Sequence, residues 1–251
     1  MANPVHQFEI HPLFPNHDIV VGGVDLSFTN SSLWMMIGVV LSVVVLNLAA
    51  KKRAMVPGRL QMFGESLYEF IANMIRDNIG AEGRRYFPLI FTLFVVVMLG
   101  NSLGLLPYSF TYTSHLVVTL ALALLIFIMV LVIGIARHGL HFFSLFLPPG
   151  VPAWLIPLIV PIEILSFAIR PVTLSVRLFA NMIAGHIMLK VFAGFSVGMA
   201  AAGSYWLIGA AFPMFFNTVL IGFELLIAFL QAYVFTVLSC IYLKDTIHID
   251  H

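Results

Sequence analysis

Two stretches of this sequence, from Pro152 to about Phe192 and from Tyr205 to about Leu243, each run for roughly forty apolar, helix-compatible residues with no turn signal in the middle. An α-helix rises 1.5 Å per residue, so each stretch reaches about 60 Å, twice the ~30 Å of a bilayer's hydrocarbon core. Each is therefore either two spans or one steeply inclined helix. Pro171 and Pro213 can kink a helix but do not reverse it. The one hairpin signal lies where Gly198 and Gly203 flank the segment MAAA. Two long, steeply tilted, antiparallel membrane helices over 152–243 fit this pattern better than four short ones.

Composition sets the class of the remainder. Of 251 residues, 61% are hydrophobic and 9% charged, with a mean hydropathy of +1.05. That is the profile of an all-α integral membrane protein. A net charge of +1 from 12 Lys and Arg gives no basic surface for nucleic acid. The single cysteine, Cys240, excludes an internal disulfide framework and reads as a small buried hydrophobe.

Residues 1–31 form a polar arm with His6, His11, His17 and three prolines, leading into an apolar run from Leu33 to Ala50. Histidines at spacings of five and six without a carboxylate cluster make a poor metal site, so a solvated arm is expected, with neither metal nor cofactor. No Lys or Arg precedes Lys51, so no targeting n-region is expected and the transmembrane helix at 33–50 is kept. Lys51, Lys52, Arg53, Arg59, Arg76, Arg84 and Arg85 place seven of the twelve basic residues between 51 and 85. The positive-inside rule puts this segment on the cytoplasmic side and the N-terminal arm outside.

Within that segment Leu60, Phe63, Leu67, Phe70, Ile71 and Met74 recur at helical spacing, while Glu65, Glu69, Asn73 and Asp77 fall elsewhere. With Pro57 in its first turn and Gly80 at its C-terminus, an amphipathic surface helix over 57–80 is expected, the alternative being a soluble loop helix. Phe87–Leu106 and Leu116–Ile135 then read as a transmembrane hairpin (87–135) joined by Pro107–His115. Asn101 and Ser102 between Gly100 and Gly104 suit close packing against a neighbour, with a transport role for Asn101 as the alternative. Arg137, His138, His141 and LPPGV at 147–151 break the pattern before the long pair. A single membrane domain over 1–251 is the expected organisation.

The ionisable residues in the long pair constrain function. Glu163, Arg170 and Arg177 recur at intervals of seven, as do Asn217, Glu224 and Gln231. Residues seven apart on a helix stay within about 20° of each other, so each set is a stripe on one face. A charge at the bilayer centre costs about 2.5–3.5 kcal/mol even on the lenient insertion scale, so such residues mark function or tight pairing. Glu163 and Arg170 could neutralise each other, although about 10.5 Å of axial rise separates them. Arg177 has no acidic residue three or four positions away, so its partner must come from another helix or another chain. Asn181 lies one turn beyond it, and His186 further on can take up and release protons near neutral pH. Lys190 is expected to snorkel to the interface. The two stripes together resemble a proton path, with structural hydrogen bonding the alternative for Asn217, Gln231 and the His186–Glu224 pair.

RPVTLSVRLFANMIAGH, from Arg170 to His186, resembles the signature of subunit a of the F-type ATP synthase. NSLGLLPYSFTYTSHLVVTLAL from Asn101, GLHFFSLFLPPGVP from Gly139 and LQAYVFTVLSCIYL from Leu230 are similar to that family as well, covering most of the chain after residue 57.

The resemblance implies a proton-translocating stator subunit that offers two offset half-channels to a rotating ring of c subunits. Arg177 would be the essential arginine facing the ring carboxylates, separating the half-channels. A guanidinium keeps its charge where a buried Lys can lose it, and a fixed cation favours the deprotonated form of a passing carboxylate. His186, Glu224, Asn217 and Gln231 would line or support the inlet from the outer side, with Asn181 also on the proton path and Glu163 in the exit channel. Some members carry Glu at the position of His186 and His at that of Glu224, so the pair is exchanged here in a form also seen in the family. Arg170 is not shared by all members. The partners implied are the c-ring proteolipids, the peripheral-stalk b subunits, the remaining ATP synthase subunits and membrane lipid. The location implied is a bacterial plasma membrane, with the mitochondrial inner membrane as alternative. The chain itself is expected to be non-catalytic, since it holds no GxxxxGK[ST] pattern. Two other classes stay open on the residues alone. A self-contained secondary transporter would show internal repeats, and none is found between the halves. A mere scaffold would leave both stripes unexplained.

Overall fold

The computed structural model describes residues 8–13, 20–21, 24–25, 27–51, 58–106, 109–147, 154–203 and 207–247. His6, His17, Lys52, Arg53, Pro57, the Pro148–Val151 part of the LPPGV break and the side chain of His141 lie outside the described residues. The fold is all-α: α1 Asn30–Lys51, α2 Arg59–Asn78, α3 Phe87–Gly104, α4 Leu116–His138, α5 Ile156–Ala201 and α6 Leu207–Ile247. The only strands among the described residues are β1 (Val20–Val21) and β2 (Val24–Asp25), a two-residue antiparallel pair in the N-terminal arm. Among the described residues five helical segments are long and apolar enough to cross a membrane, and the chain is a multi-pass membrane protein.

The two long stretches are single helices of 46 and 41 residues, with Pro161, Pro171 and Pro213 inside them. Their lengths of about 69 and 62 Å exceed the hydrocarbon core twofold. α5 begins four residues later than expected and runs nine residues past Phe192, so Gly198 lies inside the helix. The alanines after it are the strongest helix formers and outweigh the cost of one glycine, about 1 kcal/mol. Only Gly203, at φ 129°, marks the turn. α2 is stopped in the same manner: Ile79 closes it, and Gly80 at φ 88° takes a left-handed conformation that side chains resist.

The chain packs as two compact units, and α5 and α6 run through both. The first comprises Met1–Leu48, Val95–His115 and Leu178–Ala232. Here α5 and α6 are antiparallel: His186 meets Glu224, Phe192 stacks on Phe216 at 6.2 Å between centroids, and the Ser196 hydroxyl donates to the Ala210 carbonyl at 3.0 Å. α1 buries almost none of its span, which leaves Met36, Val39, Val40 and Val43 exposed. The α3–α4 connection, by contrast, is buried through Thr111, Tyr112, Thr113 and Ser114. The small residues of α3 make room for it. A Cβ on Gly100 would collide with the Tyr112 ring and one on Gly104 with Thr111, so the neighbour that needs these glycines is this connection. Burial pushes the Tyr112 phenol up to about 12, keeping it a neutral donor.

The second unit comprises Ala49–Phe94, Leu116–Arg177 and Tyr233–His251. Its core includes an aromatic cluster in which Phe167 of α5 meets Phe127, Phe142 and Phe146 at 5.1, 6.4 and 5.5 Å between centroids. Thr119 of α4 and Ser175 of α5 share a buried hydroxyl–hydroxyl bond of 3.1 Å. α2 buries Ile71, Met74 and Ile75 but exposes Leu60, Met62 and Phe63, so only its C-terminal half is packed against protein. The His138 ring donates to the Ile247 carbonyl at 3.3 Å, and Arg137 pairs with Glu82 at 2.6 Å, closing the basic side of this unit.

Candidate functional site

In the first unit, α5 and α6 bring His186 and Glu224 together, with the imidazole Nδ1 3.7 Å from a carboxylate oxygen. The two are 7% and 3% exposed, among the most enclosed ionisable groups described. Gly185 makes this approach possible: a Cβ there would lie 2.6 Å from the same carboxylate oxygen. The other imidazole nitrogen, Nε2, lies 3.0 Å from the Thr111 hydroxyl, so the chain of polar groups runs Thr111, His186, Glu224. Neither carboxylate oxygen of Glu224 has a hydrogen bond among the described residues, and the buried Asn217 Oδ1 has none either. Buried polar atoms left in that state are costly.

His186 also lines a cavity of about 590 Å³ that is open to the surface. Its walls are Phe8 of the arm, Asn30 and Trp34 at the start of α1, the α3–α4 connection, and His186, Leu189 and Lys190 of α5. Lys190 therefore stands in a cavity wall one turn past His186, eleven residues before the end of α5 and not at its terminus. His115 of the connection bonds the Phe8 carbonyl at 3.0 Å, which ties the arm to the rim. Gln231 is buried on the same unit's part of α6, and Asn181 is half-buried on α5. Asn101 donates to the Ala228 carbonyl at 3.3 Å, an α3–α6 packing bond.

In the second unit Arg177 is exposed, and among the described residues no acidic group pairs with it. It stands in an exposed row on α5 with Ile162, Ser166, Ile169 and Thr173, spaced at three or four residues. In the first unit the exposed positions Ala180, Ala184 and Met188 follow on α5 at the same spacing. Glu163 is half-exposed and likewise has no ion-pair partner among the described residues. The possible Glu163–Arg170 neutralisation is replaced by another pair. Arg170 binds Asp245 of α6 at 3.1 Å, and its guanidinium lies 5.5 Å from the Phe167 ring centroid and 5.1 Å from that of Tyr242. The 10.5 Å rise to Glu163 demands full side-chain reach, whereas the antiparallel α6 presents Asp245 directly.

Thr111 and Asp245 are the two contributors that sequence reasoning did not single out. Thr111 lies in a polar run inside a connection that reads as a plain loop. Asp245 is an acid near the end of a mostly apolar helix, which is itself a signal, but its partner is set by tertiary register 75 residues away.

Long apolar helices that carry enclosed ionisable groups beside an open cavity define a multi-pass membrane protein with a polar site among its helices. The profile of the family described as ATP synthase A chain matches residues 32–244. ATP synthase subunit a of Mesorhizobium japonicum is 52% identical over 250 residues, covering 100% of this chain and 98% of that one. The subunit a of Chelativorans sp. is 53% identical over 250 residues (100% and 99%), and that of Paramagnetospirillum magneticum 52% over 251 residues (99% and 99%). The chain belongs to the ATP synthase A chain family. It is thereby a membrane component of the ATP synthase complex, with a part in proton transport.

Proposed function

We propose that this chain is the stator half of the proton turbine: it offers two offset half-channels to a ring of c subunits, with Arg177 between them. The observation that carries the reading is the exposure of Arg177 on α5 without an acidic partner among the described residues. A cation in an apolar setting needs a counter-charge, and the face it occupies is open to a neighbouring chain. A ring proteolipid bearing a membrane carboxylate supplies that charge. The small exposed residues Thr173, Ala180 and Ala184 suit close approach of such a helix.

The cavity beside His186 supports an inlet on the outer side. The N-terminal arm and the α3–α4 connection form its rim, and the charge distribution assigns that side to the exterior. A proton entering there meets His186, with Thr111 holding one ring nitrogen and Glu224 facing the other. Asn217, Gln231 and Asn181 are the polar groups that line its way to the ring. A ring carboxylate coming round to Arg177 gives up its proton, since the guanidinium favours the ionised form. Release then occurs past Glu163 toward the cytoplasmic side. Each proton is worth about 2.3 kcal/mol per 100 mV, so several must cross for each ATP formed by other subunits. The chain performs no catalysis itself, and its partners are the c-ring and the peripheral-stalk b subunits in the bacterial plasma membrane.

The test is disulfide trapping. Cysteines placed at Thr173 or Ala180 of α5, in the exposed row that holds Arg177, should cross-link to cysteines beside the membrane carboxylate of the proteolipid. The same cysteines trapping only lipid reagent, with no proteolipid adduct in an assembled complex, would contradict the reading.

A further inference from the structure

The second unit holds a cavity that the proton path does not use. It measures about 470 Å³ and is lined by Tyr68, Ala72, Ile75 and Arg76 of α2, Gly80, Ala81 and Arg84 of the turn after it, and Phe87 at the start of α3. Backbone geometry builds it. Gly80 at φ 88° ends α2, and the following turn, Ala81–Tyr86, folds back until Gly83 lies against Ile75 and Ile79, so close that a Cβ on Gly83 would fall 2.6 Å from an Ile75 methyl. Arg76 and Arg84 thereby line the same cavity.

Its chemistry is two-sided. Both arginines are exposed, neither has an ion-pair partner among the described residues, and no carboxylate is among the lining side chains. The rest of the wall is apolar, with the Tyr68 and Phe87 rings 4.5 Å apart. A site with two cations over an aromatic and aliphatic wall fits an amphiphile with an anionic head. Depth agrees with this, because the basic turn Ala81–Tyr86 directly precedes the apolar α3, which puts the cavity at headgroup level on the basic side of the membrane. Planar guanidinium groups match phosphate oxygens bidentately. We propose that Arg76 and Arg84 hold the phosphate of an anionic phospholipid of the cytoplasmic leaflet, with its acyl chains running over Tyr68 and Phe87.

The experiment uses the assembled complex in phosphatidylcholine nanodiscs doped with a photoactivatable phosphatidylglycerol, adducts being mapped by mass spectrometry. The expected adduct falls within residues 68–87. Unlabelled phosphatidylglycerol should displace it, and added phosphatidylcholine should not. Arg76→Gln with Arg84→Gln should weaken labelling about thirty-fold, ~2 kcal/mol at about 1 kcal/mol per basic residue. Arg59→Gln, on the same helix but outside the cavity, should leave it unchanged. Should the double variant fail to assemble, either single variant carries the test with a loss of about five-fold. Equal labelling by a phosphatidylcholine probe, indifference to the Gln substitutions, or displacement by inorganic phosphate alone would each overturn the proposal. Labelling found on the free chain but lost on assembly would assign the cavity to a protein partner and overturn it too.

Discussion

The Nε2 atom of His186 lies 3.0 Å from the Thr111 hydroxyl, and this contact decides whether Nδ1, the nitrogen that faces Glu224, carries the ring proton. When Thr111 donates, Nδ1 carries the ring proton toward the carboxylate. When Nε2 donates to Thr111, Nδ1 becomes an acceptor and Glu224 must bring the proton. The two arrangements differ by the ring tautomer and by one proton on Glu224, so the pair can take up a proton and give it off again. Thr111→Val removes the hydroxyl and should slow ATP-driven acidification of membrane vesicles about two- to tenfold, the worth of one hydrogen bond. Thr111→Ser should retain most of the rate. Equal rates for Val and wild type would remove Thr111 from the path.

Gly185 gives a test that touches no ionisable group. Its missing Cβ leaves the space that the Glu224 carboxylate occupies. Gly185→Ala is favourable for a helix by about 1 kcal/mol, so the fold tolerates it, yet it must push the carboxylate away from His186. Pumping by the assembled complex should drop. Adding Glu224→Asp, which shortens the acid by one methylene, should restore part of it, measured as the rate per assembled complex. No drop in the single variant would show that the His186–Glu224 approach is unimportant.

Arg170 and Asp245 act as a fastening in this account. Their side chains are 30% and 37% exposed, so the ion pair itself contributes about 0–1 kcal/mol. The Phe167 and Tyr242 rings add about 0.5–1 kcal/mol each. Asp245→Asn should therefore lower the thermal stability of the complex slightly and Arg170→Ala more, by about 1–2 kcal/mol, with pumping per complex preserved. Loss of pumping in a fully assembled Arg170→Gln variant would move Arg170 into the ion path.

Asn101 separates packing from transport. Its amide bond to the Ala228 carbonyl joins α3 to α6. Asn101→Ala should cost about 0.6 kcal/mol, the average of such interhelical bonds, and leave the proton rate unchanged. Asn101→Asp forces a charge into a fully buried position and should block assembly, read as loss of the chain from membranes. A pumping defect in assembled Asn101→Ala would assign it to the path.

The helices were legible in the sequence because hydropathy and length report directly on spanning segments. Gly198 misled, since a glycine among alanines reads as a turn but costs a helix little. The stripe Asn217, Glu224 and Gln231 was legible from its period of seven, and the structure encloses Glu224 and Gln231. What the sequence could not supply was register. Thr111 reaching His186 and Asp245 reaching Arg170 each join residues 75 apart. Those pairings are fixed by how a buried connection and an antiparallel helix settle, and no local pattern encodes them. Arg76 and Arg84 were read only as orienting charges, because their shared cavity depends on the turn at Gly80.

The most direct measurement is ATP-driven acidification in vesicles carrying Arg177→Ala, with assembly of the complex quantified in the same preparation. Assembled complex without pumping is the expected result, together with a passive proton leak once the cation between the half-channels is gone. Normal pumping by an assembled Arg177→Ala complex would contradict it.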